Sequence, residues 1–165
     1  MAAPSPLFLD PAFSEHLSAL HMSFRRLIEM TPVTISTLTK SAPLCAIYLF
    51  SEAGRPLYVG RTRRQSLRQR LRQHSIDSAQ HNQAVFAFKL AREVTSRVHP
   101  TYTSSDSRSA LAKDPQFATA FMEAKNRIRK MELRYVEETD PLRQTLLEIY
   151  AAVVLKTPYN DFDTH

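Results

Sequence analysis

The chain has 165 residues, enough for one domain with a sizeable core, and its hydrophobic (43%) and charged (23%) fractions are ordinary for a globular protein. No apolar run approaches the roughly 18 residues of a membrane span, the N-terminus lacks the charged start and apolar stretch of a secretory signal, and the single Cys45 excludes an internal disulfide or a multi-thiolate zinc site. A cytoplasmic protein is the default expectation, and the net charge of +6 hints at an anionic partner.

Taken in chain order, residues 1–10 read as frayed. From about 12 to 29, Phe13, Leu17, Leu20, Phe24, Leu27 and Ile28 recur at three- and four-residue steps, the pattern of an amphipathic helix that packs on the body of the domain. A Pro- and Thr-rich connector over 31–43 follows, and Cys45 reads as a small buried hydrophobe. Ala46-Ile47-Tyr48-Leu49-Phe50, a turn over 51–55 and Pro56-Leu57-Tyr58-Val59-Gly60-Arg61 form a β-hairpin. Because strand side chains alternate, Ile47, Leu49, Leu57 and Val59 point to one core face, and Tyr48 and Tyr58 point together to the other. The chain has two glycines. Gly54 suits the hairpin turn; Gly60, ending the second strand, marks either a bulge or the close approach of another backbone, of which a phosphate is the functional version.

A helix over roughly 66–74 is capped by Ser66, buries Leu67 and Leu71, and places Arg70 and His74 one turn apart. Residues 84–92 admit a helix or a buried strand, and the Ala, Leu, Lys and Arg content favours helix. The Ser- and Thr-rich stretch 95–113 reads as a loop, and 117–129 as a helix introduced by Asp114-Pro115. Residues 131–137 alternate as a third strand. Asp140-Pro141 opens a strong helix to about Leu155, since Asp caps and Pro fits the first turn.

Two clusters carry chemistry. Arg55, Arg61, Arg63, Arg64, Arg68, Arg70 and Arg72 lie within eighteen residues containing no acid, and guanidinium groups grip phosphates through paired hydrogen bonds. Glu148 is the one charged residue between Arg143 and Lys156 on an otherwise apolar helix, with Gln144, Thr145, Ala151 and Ala152 as small or polar neighbours. A carboxylate so placed needs an ion pair, a proton or a cation. A structural pair with an arginine is one reading; a ligand for magnesium or manganese, which accept one protein oxygen and complete their shell with water and phosphate, is the other. The six histidines show no zinc spacing, two glycines build neither a phosphate loop nor a nucleophile elbow, and Asp161 and Asp163 read as surface charges.

Together these elements resemble the GIY-YIG endonucleases. Ala46-Ile47-Tyr48 stands where that family has Gly-Ile-Tyr, with alanine at the glycine, and Tyr58-Val59-Gly60 where it has Tyr-Ile-Gly. Residues 67–74 are similar to its Leu-x-x-Arg-Leu-x-x-(Tyr/His) helix, which singles out Arg70, with Arg68 as the fallback. Glu148 stands at its metal-binding glutamate and Asn160 at its asparagine. The match covers residues 44–74 and 131–162.

The resemblance implies a small α/β (α+β) fold, a three-stranded mostly antiparallel sheet flanked by helices, in a nuclease domain over 41–165. Residues 1–40 would be an N-terminal extension and 75–129 a helical insertion. It implies a divalent-metal-dependent hydrolase that cuts DNA, single- or double-stranded, with one Mg2+ or Mn2+ on Glu148, leaving a 5′-phosphate and a 3′-hydroxyl. Tyr48, Tyr58 and His74 would surround the attacking water, and one of them, most naturally a tyrosine whose pKa is lowered by nearby cations, would take its proton. Arg70 would hold the scissile phosphate; Gly60, Arg61, Arg68, Arg72 and Asn160 complete the substrate-binding set, with Asn160 holding the site together rather than reacting. The competing reading is a nucleic-acid-binding module that keeps the fold without cutting.

Overall fold

The computed structural model describes residues 10–97 and 107–160. The elements are α1 (Pro11–Glu29), β1 (Ala46–Glu52), β2 (Arg55–Thr62), α2 (Leu67–Ser75), α3 (Val85–Val94), α4 (Arg108–Leu111), α5 (Pro115–Lys130), β3 (Glu132–Glu137) and α6 (Pro141–Leu155). The class is α+β: an antiparallel three-stranded sheet in the order β2-β1-β3, flanked by helices. Local chemistry explains the helix starts. Asp10, Asp114 and Asp140 each cap a helix whose first turn holds proline, and Ser66 forms a reciprocal capping box with Gln69. Asp10 is therefore ordered into a cap; residues 1–9 of the expected frayed start, residues 98–106 of the expected loop, and Asp161 and Asp163 lie outside the described residues. Residues 108–111 of that loop make one helical turn.

Both faces of the sheet are covered. On one, Ile47, Leu49, Val59 and Val136 meet Leu20, Phe24 and Leu27 of α1 and Leu147, Ala151 and Ala152 of α6. On the other, Tyr48, Phe50 and Leu133 meet Leu67 and Leu71 of α2, Phe86 and Leu90 of α3, and Ala124 and Ile128 of α5. Residues 75–129 are thus no appendage. α3 and α5 roof one face of the sheet and add a small core of their own around Phe88, Leu111 and Phe117.

Two expectations about the hairpin are corrected. The ladder pairs Phe50 with Tyr58 but Ser51 with Pro56, so Leu57 is the extra residue of a bulge and its side chain joins the Tyr48 cluster instead of the Ile47 one. Gly60 lies inside β2 directly across from Tyr48, and a Cβ there would meet the Tyr48 phenol oxygen and Cζ at 2.4 Å. Neither a bulge nor a phosphate is needed to explain it. The glycine makes room for a phenol. Cys45 is half-buried, its thiol 3.9 Å from the Arg63 carbonyl oxygen, because it precedes the covered part of β1.

Candidate active site

The edge strand β2, the start of α2 and the middle of α6 converge on one open cavity of about 550 Å³. Tyr48, Tyr58, Arg61, Arg63, Arg64, Arg70, Gln144 and Glu148 are among the residues that line it. The pleat sets the tyrosines: with Tyr48 opposite Gly60 and Phe50 opposite Tyr58, the two phenols are diagonal neighbours on one face, their ring centroids 6.5 Å apart. Tyr58 stacks on Phe86 of α3 at 4.7 Å.

Tyr48 is fully buried, and its hydroxyl shares a 2.8 Å hydrogen bond with Nε2 of His74. His74 is equally buried, walled by the rings of Tyr48, Phe50 and Tyr58, and its Nδ1 has no hydrogen-bond partner among the described residues. Burial, with the Arg70 charge beside it, holds this imidazole well below its usual pKa, so it is neutral. Two expectations change here. His74 does not line the cavity; it stands behind Tyr48 and fixes that phenol. Nor are the tyrosines acidified: burial pushes both phenols up, Tyr48 furthest, and the opposing pull of Arg70 does not win.

Arg70 lies on the inward side of α2, with Nη1 donating to Gln73 Oε1 at 3.1 Å and to the Gln83 carbonyl at 3.2 Å. Arg68 and Arg72, two residues either side, project from the opposite side of the helix. They are exposed and do not line the cavity, and Arg68 donates to the Leu38 carbonyl. The spacing that puts Arg70 inward turns its neighbours out.

On α6, Glu148 sits one residue beyond the buried Leu147 and is itself mostly sheltered, its side chain 22% exposed. Burial pushes its carboxyl up, against the pull of Arg61 and then Arg70. Arg61 Nε is 3.0 Å from Glu148 Oε2, and Arg61 Nη1 also donates to the Thr145 hydroxyl. Asn160 is not free for a substrate. Its Oδ1 accepts from the Val59 N–H at 2.7 Å and its Nδ2 donates to the Val59 carbonyl at 2.8 Å. The side-chain amide acts as a further strand for one residue, closing the open edge of β2 beside the cavity.

The structure adds residues absent from the expected set. Gln144, one turn before Glu148, donates to the Thr62 carbonyl at 2.8 Å and staples α6 to the end of the hairpin. Arg63 and Arg64 join the wall directly after β2. The unbroken arginine run already contained both; what it lacked was a reason to rank them above Arg68 and Arg72. Among the described residues, no three His, Cys, Asp or Glu side chains gather where an ion can sit. Among the described residues, Glu148 is the one carboxylate on the cavity wall. No family model, no curated protein and no solved structure matches the chain.

Proposed function

We propose that this protein is a divalent-metal-dependent endonuclease of the GIY-YIG kind that hydrolyses DNA phosphodiester bonds in the cavity between β2, α2 and α6. The observation that carries the reading is the convergence of Tyr58, Arg61 and Arg70, from the consecutive elements β2 and α2, with a sheltered Glu148 from the distant α6 on one open cavity. A single carboxylate among guanidinium groups is a donor set that suits magnesium or manganese, which keep most of their shell for water and phosphate oxygens. It does not suit zinc or calcium, which need more protein ligands. When bound at Glu148, such an ion supplies Lewis-acid neutralisation of the charge that develops on the phosphate.

The remaining roles fall to the chain's own groups. Arg70 donates to the scissile phosphate, a charge-assisted bond worth about 1.5–3 kcal/mol. Both tyrosines line the cavity, and Tyr58, only partly buried, is the phenol we assign to orient the attacking water and take its proton. Tyr48 is a poorer base: its hydroxyl is engaged by His74, and that imidazole is too depressed to accept a proton readily. Burial pushes the Tyr58 phenol up, so its deprotonated form grows with pH and activity should rise into the alkaline range.

One observation favours the non-catalytic alternative: Glu148 is engaged by Arg61 and is not an open carboxylate. Labelled single-stranded, duplex and branched DNA, incubated with Mg2+ or Mn2+, separates the two readings. Metal-dependent nicks support the nuclease. Binding with a steep salt dependence and no nick on any substrate leaves the binding module.

Among the described residues no helix is long and apolar enough to cross a membrane.

A further inference from the structure

Arg61 grips α6 at two points one turn apart, the Glu148 carboxylate and the Thr145 hydroxyl. That hydroxyl is already oriented, because it donates to the Pro141 carbonyl at 2.9 Å and so turns a lone pair to Arg61. Among the described residues the cavity wall offers no second anion: Arg61, Arg63, Arg64 and Arg70 stand against Glu148, a surplus of three positive charges. A divalent ion entering alone meets a net positive wall and a carboxylate that is already paired. A phosphodiester meets four guanidinium groups against that one paired carboxylate. Arg61 is the partner better placed to change hands, since its side chain is 43% exposed against 22% for Glu148.

Resting on the nuclease reading above, we propose that Arg61 is a positioning residue, the resident counter-ion of Glu148. It holds the sheltered carboxylate aimed into the cavity when no cation is present. It releases Glu148 to the cation and turns to a phosphate oxygen when metal and nucleic acid arrive together. The pair that resembles a structural salt bridge is then a competitor for the metal, and its loss should strengthen metal binding where a merely structural bridge would weaken it.

The test is Mn2+ titration of the full-length chain without DNA, at mildly alkaline pH, with free Mn2+ read by electron paramagnetic resonance. Arg61→Gln and Arg61→Met, which both keep the aliphatic stem, should each bind Mn2+ about 5- to 10-fold more tightly than the unaltered protein. Glu148→Gln should remove that binding, alone and combined with Arg61→Gln. If both Arg61 variants fold, as judged by their melting temperatures, yet bind Mn2+ no more tightly while Glu148→Gln still abolishes binding, the counter-ion role is wrong and the nuclease reading stands. If Glu148→Gln leaves Mn2+ binding unchanged in both backgrounds, the metal ligand and the nuclease reading fall together.

Discussion

The two faces of the sheet are built on opposite principles. Between the sheet and the α1–α6 layer the contacts are aliphatic and aromatic, with Ile47, Leu49, Val59 and Val136 against Leu20, Phe24, Leu27 and Leu147. Under α2, α3 and α5 the sheet buries Tyr48 with His74, a phenol and an imidazole that satisfy each other through one hydrogen bond. The first face holds the fold mainly by buried apolar area, with Gln144 stapling α6 at its rim. The second accepts buried polar groups, an unpartnered Nδ1 and a glycine cut to fit a ring, costs that a purely structural core has no need to carry.

Adjacent residues on α6 divide along the same line and give the largest expected effect. Glu148→Gln should lower cleavage by about 10³-fold or more, as loss of the principal electrostatic group at a phosphoryl site does. Its unfolding free energy should shift by no more than about 1 kcal/mol, the scale of a partly exposed ion pair. Leu147→Ala, one position away, should cost about 2–5 kcal/mol in denaturant unfolding by opening a cavity in the apolar face. A nuclease assay and an unfolding curve on each variant check the division. Full activity in Glu148→Gln would remove the metal ligand from the account.

The polar face can be broken from either side of the phenol. Gly60→Ala drives a methyl group into the Tyr48 ring and should cost about 1–3 kcal/mol, measured by chemical denaturation. Tyr48→Phe strips His74 Nε2 of its partner and should cost about 1–3 kcal/mol, whereas Tyr58→Phe leaves no buried group unpaired and should cost less. Their rates should rank the other way, with Tyr58→Phe losing more because Tyr58 is the phenol assigned to the attacking water. Equal and small rate losses would reassign the base.

The subtlest distinction between the faces is their response to pH. His74 is depressed in the folded state, so the unfolded chain binds its proton first as pH falls. Its contribution is neutral above the unfolded pKa near 6.5, and stability then declines as pH drops from there toward the folded value, by up to about 1.4 kcal/mol per unit. Replacing His74 with Gln should flatten that part of the stability–pH profile. An unchanged slope would locate the acid sensitivity elsewhere.

Much of this was legible in the residues because the signals are local. Asp-Pro and Ser caps, the 3.6-residue apolar steps of α1, and the alternation of β1 and β3 are set by neighbours within a turn or two, and their elements form where expected. The phenols sharing a face follow from the pleat, and Arg70 facing inward follows from helical spacing. Where a reading failed, the deciding partner lay far along the chain. Nothing near Gly60 announces that Tyr48, twelve residues earlier, needs its space. The burial of Tyr48 and His74 depends on α3 and α5 closing over them, and their raised and lowered pKa values depend on that burial. Asn160 was visible as a residue of interest, yet its commitment to the Val59 backbone depends on the C-terminal segment returning to the edge of β2.

By itself, the sequence determined most of the inventory: the three strands, the longer helices, and a lone carboxylate, two phenols and an arginine run available for phosphate chemistry. Those follow from caps, periodicity and charge, which act over a few residues. Only the tertiary structure decided which arginine meets Glu148, which tyrosine is fully buried against His74 and which is only partly buried, and how burial moves their pKa values. Desolvation and ion pairing depend on what the rest of the chain packs around a group, and no short-range pattern carries that information.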